Sequence, residues 1–238
     1  MLEHEHSVEA IRTRLSSVRH NYIRDWIYGG IDGAVTTFAV VSGVAGAQLS
    51  PLIVLILGFA NLVADGFSMA ASNFLGTRAE IDDYKRLKEI EYRHIRVYPE
   101  GEREEVRQIY IEKGFGGEEL EKAVELITSD EDRWVQTMLT EEYGLPAEIR
   151  SPWNAALSTF GAFCICGLVP LVPYLLALEN SFMVSSVLTG ITFFLIGSVK
   201  SRWSTASWLR SGLETFAVGS LAAVLAYAVG VFLKDIAS

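Results

Sequence analysis

Residues 51–76 read PLIVLILGFANLVADGFSMAASNFLG and contain only one ionisable side chain, Asp65. An α-helix needs about 20 apolar residues to cross about 30 Å of hydrocarbon, and this stretch is long enough. Pro51 stands where a first-turn proline is tolerated, because the N–H that it lacks would have no helical partner there. Residues 77–96 follow without glycine or proline. We therefore expect one helix to run from the apolar stretch into a polar one.

Four other stretches have the length and apolar composition of a membrane span. They lie at about 27–47, 153–177, 182–199 and 212–233. The first, second and fifth of the five stretches are rich in Gly, Ala and Ser, which allow helices to approach closely in lipid. No segment shows the alternation typical of strands. The sequence therefore predicts an all-α, five-span transmembrane protein with a helical domain inserted between spans two and three.

Hydropathy divides the chain into four segments: a polar N-terminal segment (1–26), spans one and two (27–76), a polar insert (77–150) and spans three to five (151–238). The insert carries 12 Lys and Arg against 20 Asp and Glu, a net charge of −8 in a chain of −9. Such an acidic segment repels the phosphates of nucleic acid and suits cations. After 77–96, its predicted helices are about 102–113, 117–127 and 130–143.

The N-terminal segment lacks the apolar core of a signal peptide, so we expect it to remain part of the protein. Its apolar residues recur at helical spacing and predict an amphipathic helix along the membrane surface; they are Ile11, Leu15, Val18 and Tyr22. His4 and His6 could assist metal capture, although a disordered tip is the simpler interpretation.

Outside the insert, basic residues are concentrated in the N-terminal segment and in the loop at 200–211, whereas the loops at 48–50 and 178–181 have none. Short cytoplasmic loops of membrane proteins carry the excess of Lys and Arg. We therefore expect the N-terminus, the insert and the 200–211 loop to be cytoplasmic and the C-terminus to lie on the far side. The short N-terminus favours a prokaryotic plasma membrane, with the vacuolar membrane as the eukaryotic alternative.

Polar side chains form a stripe through the second span. Asp65 and Met69 are four residues apart on one helix face, and Asn61 and Asn73 extend that face by one turn in each direction. A carboxylate and a thioether together suit a transition-metal ion better than Mg²⁺ or Ca²⁺. Because an intramembrane carboxylate is costly, Asp65 and Asp32 of the first span are candidates for a transport pathway. Alternatively, the stripe packs a helix interface through hydrogen bonds.

Other residues inside the apolar stretches carry weaker signals. Glu214 of the fifth span lies nearer the membrane surface, so a pathway role and a solvated position are equally consistent with it. Cys164 and Cys166 are two residues apart on a helix and do not share a face. We interpret them as apolar packing residues and expect no disulfide.

The insert contains three pairs of possible metal ligands at helical spacing: Glu91 with His94, Glu102 with Glu105, and Met138 with Glu142. If their helices pack together, the pairs surround one centre whose donors suit a first-row metal. Each pair alone is also common on a solvated acidic helix. Glu91-x-x-His94 further suggests a membrane-anchored di-iron oxidase, but that site needs two such motifs and only one is present. A metal-buffering or sensing protein without transport is another alternative.

The stretches IYGGIDGAVTTFAVVSGVAGA (27–47) and LGFANLVADGFSMAASNFLGTRAE (57–80) resemble the first two spans of the vacuolar iron transporter family. This family includes the yeast calcium-cross-complementing iron transporters and plant nodulin-like relatives. The resemblance rests on the Asp-Gly dipeptides at 32–33 and 65–66 and on the Ser-Met pair at 68–69. It implies five spans, a homodimer with the pathway between subunits, and export of cytosolic Fe²⁺, or of Mn²⁺ in some members, coupled to proton entry.

The resemblance also assigns roles to residues. It implies that Asp32 and Met69 bind the transported ion in the membrane. It implies that the ligands of a cytoplasmic metal-binding domain are Glu91, His94, Glu102, Glu105, Met138 and Glu142. His94 stands where the family has Glu, which bears on ion preference. We expect no enzymatic activity and no required cofactor. The expected substrates are Fe²⁺ and also Mn²⁺ or Zn²⁺, and the expected partners are protons and the lipid bilayer.

Overall fold

The computed structural model describes residues 7–16, 21–146 and 150–237, and within these the regular structure is helical. The α-helices are α1 (Val8–Ser16), α2 (Ile23–Gly46), α3 (Pro51–Val97), α4 (Pro99–Glu112), α5 (Gly117–Thr128), α6 (Glu131–Glu141), α7 (Pro152–Leu168), α8 (Val172–Leu175), α9 (Ser181–Lys200) and α10 (Trp208–Ala237). Part of the predicted N-terminal helix is present as α1, whereas Tyr22 lies directly before α2. His4, His6 and Val18 lie outside the described residues.

Five helical stretches among the described residues are long and apolar enough to cross a membrane: Ile23–Gly46, Pro51–Val97, Pro152–Leu175, Ser181–Trp203 and Trp208–Lys234. The all-α class and the number of spans are therefore confirmed. The second stretch is part of α3, which begins at Pro51 and continues through the polar residues 77–96, as predicted.

Three of the predicted span boundaries differ from the structure. The first helix begins at Ile23 instead of residue 27, and it includes the carboxylate of Asp25, which is 4% exposed. The last begins at Trp208 instead of residue 212. The third stretch is interrupted by a 3₁₀ turn at Val169–Leu171. The interruption coincides with Pro170, which has no N–H to continue the helical hydrogen-bond ladder.

The chain forms two compact units. The first, here called the membrane unit, comprises residues 20–75 and 152–238. The second comprises the insert with one further residue at each end (76–151), and helix α1 groups with it. Helix α3 supplies residues to both units.

Close helix contacts in the membrane unit depend on glycine. A Cβ atom on Gly33 of α2 would lie 2.3 Å from the carbonyl oxygen of Phe163 in α7. One on Gly230 of α10 would lie 2.1 Å from the carbonyl oxygen of Gly43 in α2. No real Cβ fits at those distances, so only glycine lets these backbones touch. Helix α2 thus packs between α7 and α10.

The helices of the insert lie close to the predicted ranges, except that α4 begins at Pro99 instead of residue 102. Pro99 opens α4, and the side chain of Asp130 caps α6 by accepting a hydrogen bond from the Arg133 N–H at 2.8 Å. Gly144 follows α6 with a φ of +65°, a conformation that favours glycine. The helices enclose an apolar core: Ile95, Val106, Leu120, Val124, Ile127, Trp134, Val135, Met138 and Leu139.

Candidate metal-binding sites

The turn between α3 and α4 brings three candidate ligands of the insert together. Glu91 and His94 lie on the last turns of α3, and Glu102 lies on the first turn of α4. One ligand atom from each lies within 4.8 Å of the others. The Nδ1 atom of His94 is 3.4 Å from Glu102 Oε1 and 3.8 Å from Glu91 Oε1. Two oxygen donors and one nitrogen donor therefore converge, which suits a first-row divalent metal.

The two carboxylates are buried and incompletely paired. Glu91 is 1% exposed and Glu102 is 7% exposed. The Oε2 atom of each has no hydrogen-bond partner within the part of the chain that the structure describes. A buried carboxylate oxygen without a donor is costly, and a bound cation would satisfy both oxygens at once. His94 is 45% exposed and leaves the cluster open on one side.

Neighbouring carboxylates add negative charge to the cluster. Burial, followed by repulsion from Glu105 and Glu91, raises the pKa of Glu102 from 4.5 to about 7. Burial, followed by repulsion from Glu91 and Glu105, also raises the pKa of Glu142. Glu105 and Glu142 are themselves exposed, so they contribute to the field around the three converging residues from the rim.

Met138 lies in a different environment from the acidic candidates. It is fully buried, and it belongs to the apolar core of the insert together with Val135 and Leu139. Its side chain therefore contributes to the packing of α6, whatever further part its sulfur takes in metal binding.

Tyr143 is a member of the site that the sequence did not indicate. Its hydroxyl donates a hydrogen bond of 3.0 Å to Glu91 Oε1. Burial, followed by this hydrogen bond, raises the pKa of Tyr143 above its ordinary value, so the hydroxyl stays protonated and remains a donor. Tyr143 follows α6 and has no motif spacing to Glu91. Its proximity to Glu142 in sequence was the only available signal.

Two surface ion pairs and one hydrogen bond connect α6 to the helices that carry the site. Arg96 of α3 donates to Glu131 at 3.0 Å, and the Tyr92 hydroxyl donates to Asp132. The ammonium of Lys113, next to the end of α4, is 2.5 Å from a carboxylate oxygen of Glu141. Each exposed pair contributes little by itself, at most about 1 kcal/mol. Together they connect α6 to both neighbouring helices.

In the membrane unit, Asp32 of α2 and Asp65 of α3 are partly buried and close enough for their carboxylates to interact electrostatically. Met69, one turn along α3, packs partly buried against the core of this unit. An acidic pair beside a thioether is compatible with the predicted pathway ligands.

The two asparagines of the predicted stripe make hydrogen bonds between helices. The Asn61 amide donates to Thr36 at 3.1 Å and to Thr37 at 3.3 Å. The Asn73 amide nitrogen lies 2.7 Å from Thr159 Oγ1 and 2.9 Å from Asp25 Oδ1. These contacts correspond to the helix-packing alternative for Asn61 and Asn73.

The remaining candidates of the membrane unit have simple environments. Glu214 is exposed and accepts a hydrogen bond of 3.0 Å from Arg210, one turn earlier in α10. Cys164 and Cys166 are free thiols, and Cys166 is part of the apolar core.

Five apolar helical stretches, each long enough to cross a membrane, indicate a multi-pass membrane protein. Residues 23–231 match the sequence model of the VIT family. The chain belongs to this family of vacuolar iron transporters. The resemblance seen in the first two spans is thus confirmed.

Several relatives match over most of their length. The chain is 32% identical over 230 residues to the "Vacuolar iron transporter" of Plasmodium berghei, covering 92% of this chain and 84% of the relative. It is 32% identical over 210 residues to "Vacuolar iron transporter 1" of Arabidopsis thaliana, covering 86% and 83%. It is 31% identical over 226 residues to the "Vacuolar iron transporter" of Toxoplasma gondii, covering 90% and 75%. The relatives are named as transporters, which supports a metal transporter and not an enzyme.

Proposed function

We propose that this chain exports Fe²⁺ from the cytosol by proton antiport, with Mn²⁺ as a second cargo, and that its insert captures the ion before transport. The observation that carries the proposal is the convergence of Glu91, His94 and Glu102 within 4.8 Å. Their unpartnered, buried carboxylate oxygens have the chemistry of a cation site. The relatives are named as iron transporters, which supports iron as the ion.

The capture step uses the donors of the cluster. Glu91 and Glu102 each provide a carboxylate oxygen as a ligand. His94 provides a nitrogen ligand at the exposed side, where a hydrated ion arrives. Glu105 and Glu142 at the rim attract cations, and they stand as further ligands together with Met138. A donor set of carboxylates and one imidazole suits Fe²⁺, Mn²⁺ and Zn²⁺ better than Ca²⁺ or Mg²⁺.

The transport step uses the membrane unit. Asp32 and Met69 bind the ion after it sheds water, and Asp65 adds negative charge beside them. Asp32 takes up a proton when the ion leaves, which couples metal exit to proton entry. The pathway forms between the subunits of a homodimer. The N-terminus and the insert face the cytosol, and the C-terminus faces the other side of a prokaryotic plasma membrane or, in a eukaryotic cell, a vacuolar membrane.

The test is metal flux into liposomes that contain the purified full-length protein, with Fe²⁺, Mn²⁺ and Zn²⁺ compared with and without a pH gradient. We expect Fe²⁺ uptake that accelerates when the metal-receiving side is acidic and that moves protons in the opposite direction. Flux that does not respond to the gradient would refute antiport. Tight binding without flux would favour a metal buffer, and oxygen-dependent oxidation of Fe²⁺ would favour the oxidase alternative.

A further inference from the structure

We propose that Tyr143 is a positioning residue of the metal site in the insert: its hydroxyl donates to the Glu91 carboxylate and so fixes the orientation of that ligand in the cluster. The inference rests on the proposed capture function of the insert and adds to it a residue outside the predicted ligand set.

The hydrogen-bond geometry separates the two oxygens of Glu91. Oε1 accepts from the Tyr143 hydroxyl at 3.0 Å. Oε2 is buried and has no partner among the described residues. A donor on one oxygen restricts rotation of the carboxylate, which is how outer partners of metal sites orient the ligands. The Glu91 carboxylate is therefore held in one orientation, with Oε1 also 3.8 Å from His94 Nδ1 and Oε2 buried.

Tyr143 is itself held by the insert core. Its ring packs against the apolar cluster that contains Met138 and Leu139. Its backbone N–H donates to the Met138 carbonyl at 3.4 Å, and Gly144 turns the chain immediately afterwards. The hydroxyl thus contacts Glu91 of α3 from the segment that follows α6. The orientation of Glu91 therefore depends on a part of the insert outside α3 and α4, the two helices that carry Glu91 and Glu102.

The chemistry of the donor also fits a cation site. A lysine or arginine at this position would bind Glu91 equally well, but its positive charge would oppose a metal ion. A phenol donates a hydrogen bond and adds no charge, so the carboxylates keep their full attraction for a cation. The Tyr143 hydroxyl therefore orders the site without lowering its charge.

The test compares Tyr143→Phe with Tyr84→Phe in the full-length protein in detergent. Both substitutions remove one hydroxyl and keep the ring. Tyr84 also packs against the insert core, but its hydroxyl is bonded to Gln136 at 3.1 Å, outside the cluster. Binding of Mn²⁺ and Zn²⁺ is measured by calorimetry, and the Mn²⁺ site is observed by electron paramagnetic resonance.

We expect Tyr143→Phe to weaken binding of both ions about 10- to 100-fold and to broaden the Mn²⁺ spectrum, because Glu91 loses its fixed orientation. Tyr84→Phe should keep wild-type affinity and spectrum. Wild-type behaviour of Tyr143→Phe would overturn the inference, and so would equal losses in the two variants, since these would reflect core stability alone.

A third variant separates this inference from the proposed function. Glu91→Gln combined with Glu102→Gln should abolish binding at the cluster. If it does so while Tyr143→Phe binds normally, the capture site stands and the positioning role is refuted. If the double variant binds like the wild type, the capture site and the role of Tyr143 are both refuted.

Discussion

The imidazole Nδ1 of His94 lies 3.4 Å from Oε1 of Glu102, although the two residues belong to different helices. The pairing depends on the short reversal between α3 and α4, where Pro99 begins the second helix one residue after Tyr98. A nitrogen and an oxygen at this separation can bind the same small cation. The reversal is therefore the local feature that brings Glu102 to the pair formed by Glu91 and His94.

His94 should set the ion preference of the insert. Replacing it by His94→Glu exchanges a nitrogen donor for an oxygen donor, which Mn²⁺ accepts more readily than Zn²⁺ does. We expect the affinity ratio of Zn²⁺ to Mn²⁺ to fall about tenfold, or ~1.4 kcal/mol. Competition titrations of the full-length protein measure the ratio. An unchanged ratio would show that the imidazole does not contact the ion.

Glu102 should have opposite effects on metal affinity and on metal-free stability. Glu102→Gln removes a ligand and should weaken Mn²⁺ binding by at least about tenfold, or ~1.4 kcal/mol. The same change removes a buried carboxylate that its neighbours repel, so the metal-free protein should melt at the same or a higher temperature.

Glu104→Gln is the matched control for Glu102→Gln. Glu104 lies on the same helix as Glu102, but it is exposed and pairs with Arg107 and Gln108. It should leave metal affinity unchanged. Equal loss of affinity in the two variants would indicate that general negative charge, and not a ligand, is responsible.

The metal-free protein should lose stability as the pH rises. The pKa of Glu102 is about 7 in the folded protein against 4.5 as the ordinary value, so between these values the folded state binds more protons than the unfolded state. The contribution of Glu102 is complete below about pH 4.5 and is lost as the pH rises through about 7. Glu142, whose pKa is also raised, acts in the same direction.

Thermal unfolding with a chelator at pH 5 and pH 8 measures this dependence. His94, Glu91, Glu105 and Glu142 surround Glu102, and Glu102→Gln isolates its share of the pH dependence from theirs. The variant should show a smaller fall in melting temperature than the wild type. The same slope in both proteins would contradict the prediction, and saturating Mn²⁺ should remove the fall in the wild type.

Asp32 should be required for flux and dispensable for capture. Asp32→Ala should abolish transport in proteoliposomes, while calorimetry should still detect metal binding by the insert. Glu214→Gln is the control in the membrane unit, because Glu214 is exposed and paired with Arg210. It should transport normally. Normal transport by Asp32→Ala would refute the proposed pathway role.

Gly33 should tolerate no side chain. Gly33→Ala places a methyl group 2.3 Å from the Phe163 carbonyl oxygen, and separating the helices should cost about 1–3 kcal/mol. Gly161→Ala, on the facing helix α7, meets no described atom within 4 Å and should be neutral or stabilising. Melting temperatures in detergent compare the two. A neutral Gly33→Ala would mean that α2 and α7 can move apart without cost.

Periodicity and hydropathy were sufficient to predict much of this fold from the sequence. Apolar length predicted the five spans. Asp130 and Gly144 lie at the ends of α6, where each acts on its own local backbone, but α4 begins at Pro99, earlier than the predicted residue 102. Asp25 was excluded from the first span because a hydropathy window treats a carboxylate as exposed, whereas the folded chain buries it.

The candidate site was less fully predictable. Helical spacing found Glu91 with His94 and Glu102 with Glu105, but it did not show which members of the pairs converge. Tyr143 was missed because its contact with Glu91 spans 52 residues and depends on how α6 packs. Asn61 and Asn73 share a face with Asp65, but spacing along one helix does not show which atoms of the neighbouring helices accept their hydrogen bonds.

Asn73 connects three helices of the membrane unit through hydrogen bonds. Its amide nitrogen on α3 contacts Asp25 of α2 and, on α7, Thr159 and the Ala155 carbonyl at 3.3 Å. Breaking such contacts in a membrane interior leaves polar atoms without partners. Rotation of any one of these helices alone would break hydrogen bonds to the other two. If the chain transports ions as proposed, we therefore expect these three helices to move as one body, against α9 and α10 or against a second copy of the chain.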